Sequence, residues 1–102
     1  MIPVLSAMRP AIAELCQRYH VRRLDVFGSA ARAVDFSDRS DIDFAVAFEP
    51  DHTPPDFGAF LAFQNDLSAL LGRPVDLVID GAVRNPYLRE SMERSRQTVH
   101  GA

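Results

Sequence analysis

Two short polar motifs stand out because each lies at one end of an apolar run. Gly28 and Ser29 follow the run that ends at Phe27, and Asp41 and Asp43 open the next run. A glycine lets the backbone approach a ligand closely, and a serine that starts a short helix places N–H groups where they attract anions. Two carboxylates two residues apart on a strand face the same way and suit a divalent metal. A phosphate site beside a metal site predicts a nucleotide ligand.

A third carboxylate, Asp76, is the second residue of the apolar run at 75–79. A charge buried within an apolar strand is costly unless a cation compensates it. If this strand lies beside the one that Asp41 opens, three carboxylates converge, and one or two Mg²⁺ ions would relieve their repulsion. Such a site predicts in-line nucleotidyl transfer, in which a hydroxyl attacks the α-phosphorus and pyrophosphate leaves. Gly28 and Ser29 would then hold the far phosphates.

Each of these features also has a simpler explanation. An Asp-x-Asp pair at a strand entrance is often solvated turn chemistry, a Gly-Ser pair can be only a helix cap, and Asp76 could face solvent. Arg32 is expected either to pair with Asp35 or Asp38 or to reach a phosphate. The occurrence of all three motifs in one short chain favours the catalytic explanation.

Hydrophobic periodicity predicts the elements that position these residues. Pro10 interrupts the first helical pattern, so the regular part of that helix is expected to begin near Pro10 as a first-turn residue. Asp56 is the expected N-cap of the longest helix and Gly72 its C-terminal stop. The predicted elements are, approximately and in chain order, helix 6–19, strand 21–27, short helix 29–33, strand 41–48, helix 57–71, strand 75–79, helix 86–96 and edge strand 97–100.

This order of elements predicts the fold. The helix between the second and third strands is long enough for a crossover that joins parallel neighbours, whereas the first connection is tighter. We therefore expect one α/β (α+β) domain over residues 1–102, with a small mixed sheet of three to four strands and about four helices, mainly on one side. The strand 75–79 is nearly all apolar and is expected to be central. On the last helix, Leu88 and Met92 are expected to face inward, above an exposed ion pair of Glu90 with Arg94.

Composition excludes several classes of function. No apolar run approaches the ~20 residues of a membrane span, and the residues at 1–20 do not fit a signal peptide, so a cytoplasmic location without a membrane partner is expected. Between positions 35 and 56 seven acids stand against one base, which disfavours direct binding of nucleic acid. The lone Cys16 lies on an apolar helical stripe and is expected to be a small buried hydrophobe. Asp25 and Asp80 are expected to be solvent-exposed or ion-paired.

The motifs together resemble a known family. The text FGSAAR…RSDIDFAV…LLGRPVDLVI…NPYLRESMER is similar to the signature of polymerase-beta-like nucleotidyltransferases, and in particular to the minimal nucleotidyltransferases. The resemblance covers residues 21–94 approximately. It implies the nucleotidyltransferase fold and, because several of these proteins are antitoxins of HEPN-domain ribonuclease toxins, a protein partner of that type. The similar antitoxins transfer AMP from ATP to a tyrosine hydroxyl of the toxin and silence it.

The resemblance also implies residue roles. The expected Mg²⁺ ligands and catalytic residues are Asp41, Asp43 and Asp76, the last of which would help to activate the acceptor hydroxyl. The expected triphosphate-binding residues are Gly28, Ser29 and Arg32. Two departures stand out: Ala33 replaces a glycine that relatives often have, and eleven residues separate Ser29 from Asp41, one more than in some members.

The expected function is thus Mg²⁺-dependent transfer of AMP from ATP to a hydroxyl of a HEPN-type toxin. Two alternatives remain open. The chain could be a non-catalytic module that neutralises its partner by occlusion. It could also be a nucleotidyltransferase for a small-molecule hydroxyl such as that of an aminoglycoside, although ~100 residues leave little surface to hold such an acceptor.

Overall fold

The computed structural model describes residues 1–37, 39–52 and 57–101 of the chain. These described residues form five α-helices, four strands and one 3₁₀ turn, Pro50–His52. In chain order the helices and strands are α1 (Pro3–Ala7), α2 (Arg9–Arg18), β1 (Val21–Phe27), α3 (Ser29–Arg32), β2 (Ile42–Phe48), α4 (Phe57–Leu71), β3 (Val75–Ile79), α5 (Pro86–Ser95) and β4 (Gln97–His100).

The four strands form one mixed sheet in the order β3-β2-β1-β4. β1 is antiparallel to both β2 and β4, whereas β2 and β3 are parallel and α4 forms the crossover between them. The predicted mixed sheet, its crossover and the edge strand at the C-terminal end are therefore confirmed. The prediction that the third strand is central is wrong, because β3 lies at an edge. Its apolar character has another cause: Val75 and Leu77 are buried in the main core, and Val78 packs beside Met92 of α5.

Alternation along the strands divides the sheet into two faces. The residues of β2 that face the main core are Ile42, Phe44, Val46 and Phe48, all of which are buried. α2 and α4 cover this face with Ile12, Leu15, Cys16, Phe63, Leu67 and Leu71. The opposite face has a small core in which Met92 packs with Phe27 and Ala45. Most helices therefore lie on one side, as predicted, and α5 alone covers the other face among the described helices.

The first predicted helix is in fact two helices that meet at Met8. Met8 has φ −99° and ψ 9°, outside the helical region, and Pro10 occupies the first turn of α2. This agrees with the expectation that a proline missing its N–H fits only the start of a helix. The burial of Cys16 is also confirmed, and burial raises the pKa of its thiol to about 12.

The ends of α4 and α5 follow the predicted signals in part. Gly72 stops α4 with φ +69°, whereas the predicted N-cap, Asp56, lies outside the described residues. The side chain of Asn85 caps α5 by accepting hydrogen bonds from the backbone N–H groups of the second and third residues of the helix. Met92 is fully buried, but Leu88 is 42% exposed, so its predicted inward orientation is wrong. Met92 is the buried residue through which α5 packs on the sheet. No helix in the described part of the chain is long and apolar enough to cross a membrane.

A buried ion network fastens the end of α5 to the sheet. Asp25 on β1 is fully buried, and its carboxylate lies 2.7 Å from Arg96 Nη2 and 3.0 Å from Arg23 Nη2. Arg96 also contacts Asp80 at 2.8 Å and Glu93 at 2.7 Å. Arg96, and to a lesser extent Arg89, holds the pKa of the Asp80 carboxyl below its usual value. Of the two alternatives expected for Asp25 and Asp80, solvent exposure or an ion pair, the ion pair is the one observed.

The residue that ends α3 has an unfavourable backbone conformation. Ala33 has φ 68° and ψ −17°, in the left-handed region, which costs an L-residue about 1–2 kcal/mol. Glycine avoids this cost but loses about 0.5–1 kcal/mol more chain entropy on folding. The departure from glycine noted in the sequence is therefore a strained position.

Ala33→Gly is expected to raise the free energy of unfolding by about 0.5–1 kcal/mol, because relief of the left-handed strain exceeds the entropy loss. Urea unfolding measures the change. Ala69→Gly, at an exposed position within α4, is the matched control and should lower the free energy of unfolding by about 1 kcal/mol. Equal losses in both variants would contradict the prediction.

Candidate active site

The sheet brings two of the sequence-predicted carboxylates side by side. Asp43 on β2 is in register with Phe27 on one side and with Asp76 on the other. Because β2 and β3 are parallel and these two aspartates are direct partners, their side chains project from the same face of the sheet. This is the face that α5 covers farther along the strands.

Asp41 lies just outside this arrangement. β2 begins at Ile42, so Asp41 is the residue before the strand, and both Asp41 and Asp76 are exposed whereas Asp43 is half-buried. The expectation of a buried Asp76 is wrong because Asp76 lies on the face opposite to the buried Val75 and Leu77, before the part of that face that α5 covers. Within the described ranges, no group of three His, Cys, Asp or Glu side chains is close enough to enclose a metal ion by itself.

The carboxylates nevertheless act on one another. The pKa of Asp43 is raised from 3.8 to about 6, first by burial and then by the negative charges of Asp76 and Asp41. The positive charge of Arg32 acts in the opposite direction. Ionised Asp43 is therefore held in a region where negative charge is only partly compensated.

Gly28 leaves the room that Asp43 occupies. Its φ of 70° and ψ of −149° lie in a region that favours glycine. A Cβ at this position would lie 2.9 Å from Asp43 Oδ2. The N–H of Gly28 donates a hydrogen bond of 2.9 Å to the hydroxyl of Ser95, so this donor already has a partner. Its C=O accepts hydrogen bonds from the first turn of α3.

Ser29 and Arg32 lie on the same short helix. Ser29 is the first residue of α3, directly after Gly28. Arg32 forms an ion pair of 2.8 Å with Asp35, one of the two predicted partners; the other, Asp38, lies outside the described residues. The ion-pair alternative for Arg32 is therefore confirmed, and its positive charge also acts to lower the pKa of Asp43. Contact of Arg32 with a phosphate stays a prediction.

A cavity of about 250 Å³ lies beside Arg32. Arg32 forms one wall, and α5 supplies Ser91, Arg94 and Ser95. Sequence reasoning missed this contribution of α5, because the contact between Ser95 and Gly28 joins positions 67 residues apart. No motif or spacing in the sequence marks Ser95 as a neighbour of Gly28.

Gly28→Ala is expected to lower the free energy of unfolding by about 1–3 kcal/mol and to weaken Mn²⁺ binding. Alanine at this position would have to adopt a backbone conformation that favours glycine. Its Cβ would also displace the Asp43 carboxylate. Urea unfolding and a Mn²⁺ titration measure the two effects. Gly81→Ala, where a Cβ would meet no atom within 4 Å, is the control. Wild-type Mn²⁺ affinity in Gly28→Ala would show that this close approach is unimportant.

The donor set fits a magnesium ion. Mg²⁺ is usually held by one or two carboxylates together with waters and substrate phosphates, not by an all-protein cage. Asp43 and Asp76 supply two neighbouring carboxylates. The pKa of Asp43 is raised first by burial and then by its negative neighbours, and a cation there would offset both effects. The geometry can therefore bind a metal–triphosphate complex beside an exposed surface.

Comparisons with known proteins find relatives of this chain. A family model described as "Nucleotidyltransferase domain" matches residues 8–99. A protein of Methanocaldococcus jannaschii named "Putative protein adenylyltransferase MJ0128" is 43% identical over 79 residues, which cover 78% of this chain and 76% of the relative.

Solved structures share the fold. One described as a "putative minimal nucleotidyltransferase" superposes with a TM-score of 0.73 at 35% identity and covers 91% of this chain and 90% of its own. A chain from the complex of the tri-AMPylated Shewanella oneidensis HEPN toxin with its MNT antitoxin superposes with a TM-score of 0.69. It is 20% identical, and the match covers 96% of this chain and 73% of the other. This second likeness concerns the fold alone.

Proposed function

Because the chain belongs to the nucleotidyltransferase domain family, in its minimal branch, we propose that it is a Mg²⁺-dependent protein adenylyltransferase. It transfers AMP from ATP to a hydroxyl group of a partner HEPN-type toxin and acts as the antitoxin in the cytoplasm. The acceptor proposed is a tyrosine hydroxyl. The name of the Methanocaldococcus jannaschii relative and the AMPylated toxin in the Shewanella oneidensis complex support AMP as the transferred group and a toxin as the acceptor.

The observation that carries the proposal is the placement of Asp43 beside Asp76 and against Gly28. Two carboxylates next to a close backbone approach form a place where a metal and a phosphate chain can meet. The ion network at the other end of the same face involves Asp25 and Asp80, whose partners are arginines. Asp43 and Asp76 therefore differ from Asp25 and Asp80, because in the described part of the chain each of them lies next to another carboxylate and not next to an arginine partner.

The proposed reaction is an in-line displacement at the α-phosphorus of ATP. The oxygen of the acceptor hydroxyl forms a new bond to the α-phosphorus, and the bond from that phosphorus to the oxygen bridging to the β-phosphorus breaks. Pyrophosphate leaves with the electron pair of that bond. Asp76, which is exposed, accepts the proton of the hydroxyl.

The residues that would hold Mg²⁺ are Asp43 and Asp76, with Asp41 at the entrance of the strand. Bound there, the metal would neutralise charge on the phosphates, stabilise the leaving group and lower the pKa of the acceptor hydroxyl. Ser29 and Arg32 would bind the phosphates beyond the α-position, and Arg32 lines the cavity that α5 completes. Positioning of the two reactants would supply much of the remaining rate enhancement.

Incubation with labelled ATP, Mg²⁺ and the partner toxin tests the proposal. The wild-type protein should label the toxin, and the Asp41→Asn/Asp43→Asn double variant should not. Label that survives in the double variant would exclude the metal assignment. Label that appears on a small hydroxyl compound without any protein would favour the small-molecule alternative.

The same variant separates catalysis from occlusion. Cells that express the toxin should grow when the wild-type protein is co-expressed and should fail to grow with the double variant. If the double variant protects the cells equally well and still co-purifies with the toxin, binding alone neutralises the toxin. Asp51→Asn, at an exposed position in the 3₁₀ turn, controls for a change of charge away from the site.

A further inference from the structure

Arg73 joins the start of β3 to the segment that leads into the aspartate motif. It lies between Gly72, which ends α4, and the first residues of β3. Its Nη2 donates hydrogen bonds to the backbone C=O groups of Ser37 and Ser40, the second at 3.2 Å. Its guanidinium carbon is 4.5 Å from the centroid of the Phe36 ring. Two directional bonds and a stacked ring fix the orientation of the planar guanidinium.

The residues that Arg73 contacts form a small unit, which we call the entry loop: Phe36, Ser37 and Ser40. The N–H of Ser40 donates to the C=O of Ser37 at 3.0 Å, and the N–H of Ser37 donates to the hydroxyl of Ser40 at 3.1 Å. Just beyond, the N–H of Ile42 donates to the C=O of Pro74 at 3.0 Å. Hydrogen bonds therefore connect this part of the chain to the segment before β3 at two successive places, Arg73 and Pro74.

This tie has a specific consequence for Asp41. The ladder between β2 and β3 begins at Ile42, so strand pairing fixes Asp43 relative to Asp76. Asp41 precedes the ladder and follows Ser40 directly. Its backbone position is thus set from one side by Ile42 and from the other by Ser40, whose C=O Arg73 holds. Strand pairing thus fixes the relative positions of Asp43 and Asp76, whereas Arg73 helps to fix the position of Asp41.

We propose that Arg73 is a positioning residue that holds Asp41 where it can share a metal–triphosphate complex with Asp43 and Asp76. The inference rests on the proposed function, since it takes Asp41 to be a metal ligand. Arg73 acts through the entry loop and touches none of the reacting atoms. A group that orients a metal ligand typically changes metal affinity or activity by about 10–100-fold when it is removed.

Mn²⁺ binding in the presence of the non-hydrolysable analogue AMP-PNP, followed by calorimetry, tests the inference without any need for turnover. Arg73→Met keeps the side-chain stem beside Phe36 but removes both hydrogen bonds, and should weaken Mn²⁺ binding by about 10–100-fold. Arg73→Lys keeps the charge and one donor nitrogen but lacks the planar guanidinium, and should have an intermediate effect. The matched control is Arg9→Met, which also removes an arginine bond to a backbone C=O, that of Thr98 at 2.9 Å; it should leave Mn²⁺ binding unchanged.

A double-mutant cycle identifies the residue through which Arg73 acts. If Arg73 works by placing Asp41, Arg73→Met should weaken Mn²⁺ binding by less than about twofold when Asp41 is already asparagine. Additive losses in the Asp41→Asn/Arg73→Met variant would overturn the inference. A purely structural role would also overturn it, and would lower the urea midpoint of Arg73→Met while leaving the Mn²⁺ affinity of the folded protein unchanged.

Failure of this inference is distinguishable from failure of the proposed function. A wild-type protein that binds no Mn²⁺ with AMP-PNP and transfers no AMP would refute the proposed function. A wild-type protein that does both, while Arg73→Met and Arg73→Lys bind Mn²⁺ equally well, would refute only the role of Arg73. If Arg73→Met does not fold, Arg73→Lys alone decides the question.

Discussion

Replacement of Asp43 with asparagine is expected to reduce AMP transfer by about 10³-fold or more and, at the same time, to stabilise the metal-free protein. Activity falls because a neutral amide is a much poorer ligand for Mg²⁺ than a carboxylate. The electrostatic contribution of a catalytic metal is worth several kcal/mol, and each 1.4 kcal/mol corresponds to a factor of ten in rate. Single-turnover transfer of label at saturating ATP and Mg²⁺ measures this loss.

The gain in stability follows from the pKa of Asp43. Its pKa in the folded state, about 6, lies above the ordinary value of 3.8. The contribution of Asp43 to the free energy of unfolding is therefore most favourable below about pH 4 and is lost as the pH rises through 6. At pH 7.5 the ionised carboxylate destabilises the folded state, and asparagine removes this effect. Asp43→Asn should therefore be more stable than wild type by about 1–3 kcal/mol at pH 7.5, with the difference vanishing near pH 4.

Urea unfolding in the presence of a chelator at the two pH values checks this expectation. Added Mn²⁺ should stabilise the wild-type protein at pH 7.5 and have little effect on Asp43→Asn, because only the wild type has the charge that the metal neutralises. Asp51→Asn, an exposed carboxylate, should show neither effect. A stability difference between Asp43→Asn and wild type that does not change with pH would contradict the electrostatic explanation.

Arg96→Met is expected to destabilise the protein by about 3–5 kcal/mol. The substitution removes one of the two arginines that contact the fully buried Asp25 and leaves its charge poorly compensated. For a domain of this size the loss corresponds to a fall in Tm of about 12–40 °C. Arg94→Met is the matched control, because its partner Glu90 is exposed and the pair is worth less than about 1 kcal/mol.

A second substitution shows whether the uncompensated charge is the cause. Asp25→Asn in the Arg96→Met background should recover part of the stability, since it removes the buried charge. Equal stabilities of the single and double variants would point to lost packing of the arginine stem instead. The network should also weaken in acid, because Arg96 lowers the pKa of Asp80 and its contribution is lost as the pH falls through that lowered value.

The elements were largely predictable because hydrophobic periodicity is a local property. The alternation along 41–48 assigned the core face of β2 correctly, and the Pro10 and Gly72 signals located helix ends. The side-by-side placement of Asp43 and Asp76 required a register that no local pattern specifies, since it depends on how α4 returns the chain. Sequence reasoning identified the right strands as neighbours but placed β3 in the centre, because apolar residues on a strand do not reveal which edges are paired.

The residues that hold the site motifs in position were the least predictable from the sequence. Ser95 and Arg73 form hydrogen bonds to backbone groups in or next to the motifs. Such bonds do not depend on the residue type of the backbone partner, so the sequence does not reveal them. Ala33 is different, because its left-handed conformation gives a physical reason why glycine suits that position. The roles of Asp41, Asp43 and Asp76 in metal binding stay predictions that the Mn²⁺ experiments test.

The strand order β3-β2-β1-β4 also determines when the site can exist during synthesis on the ribosome. The Gly-Ser and Asp-x-Asp motifs emerge in the first half of the chain, but Asp76 and Ser95 follow much later. Chains are made at about 5–20 residues per second, so the nascent protein spends several seconds without its third carboxylate or the hydroxyl that engages Gly28. A nascent chain that has not yet reached Ser95 therefore lacks the assembled site, and under the proposed function it is not expected to bind nucleotide.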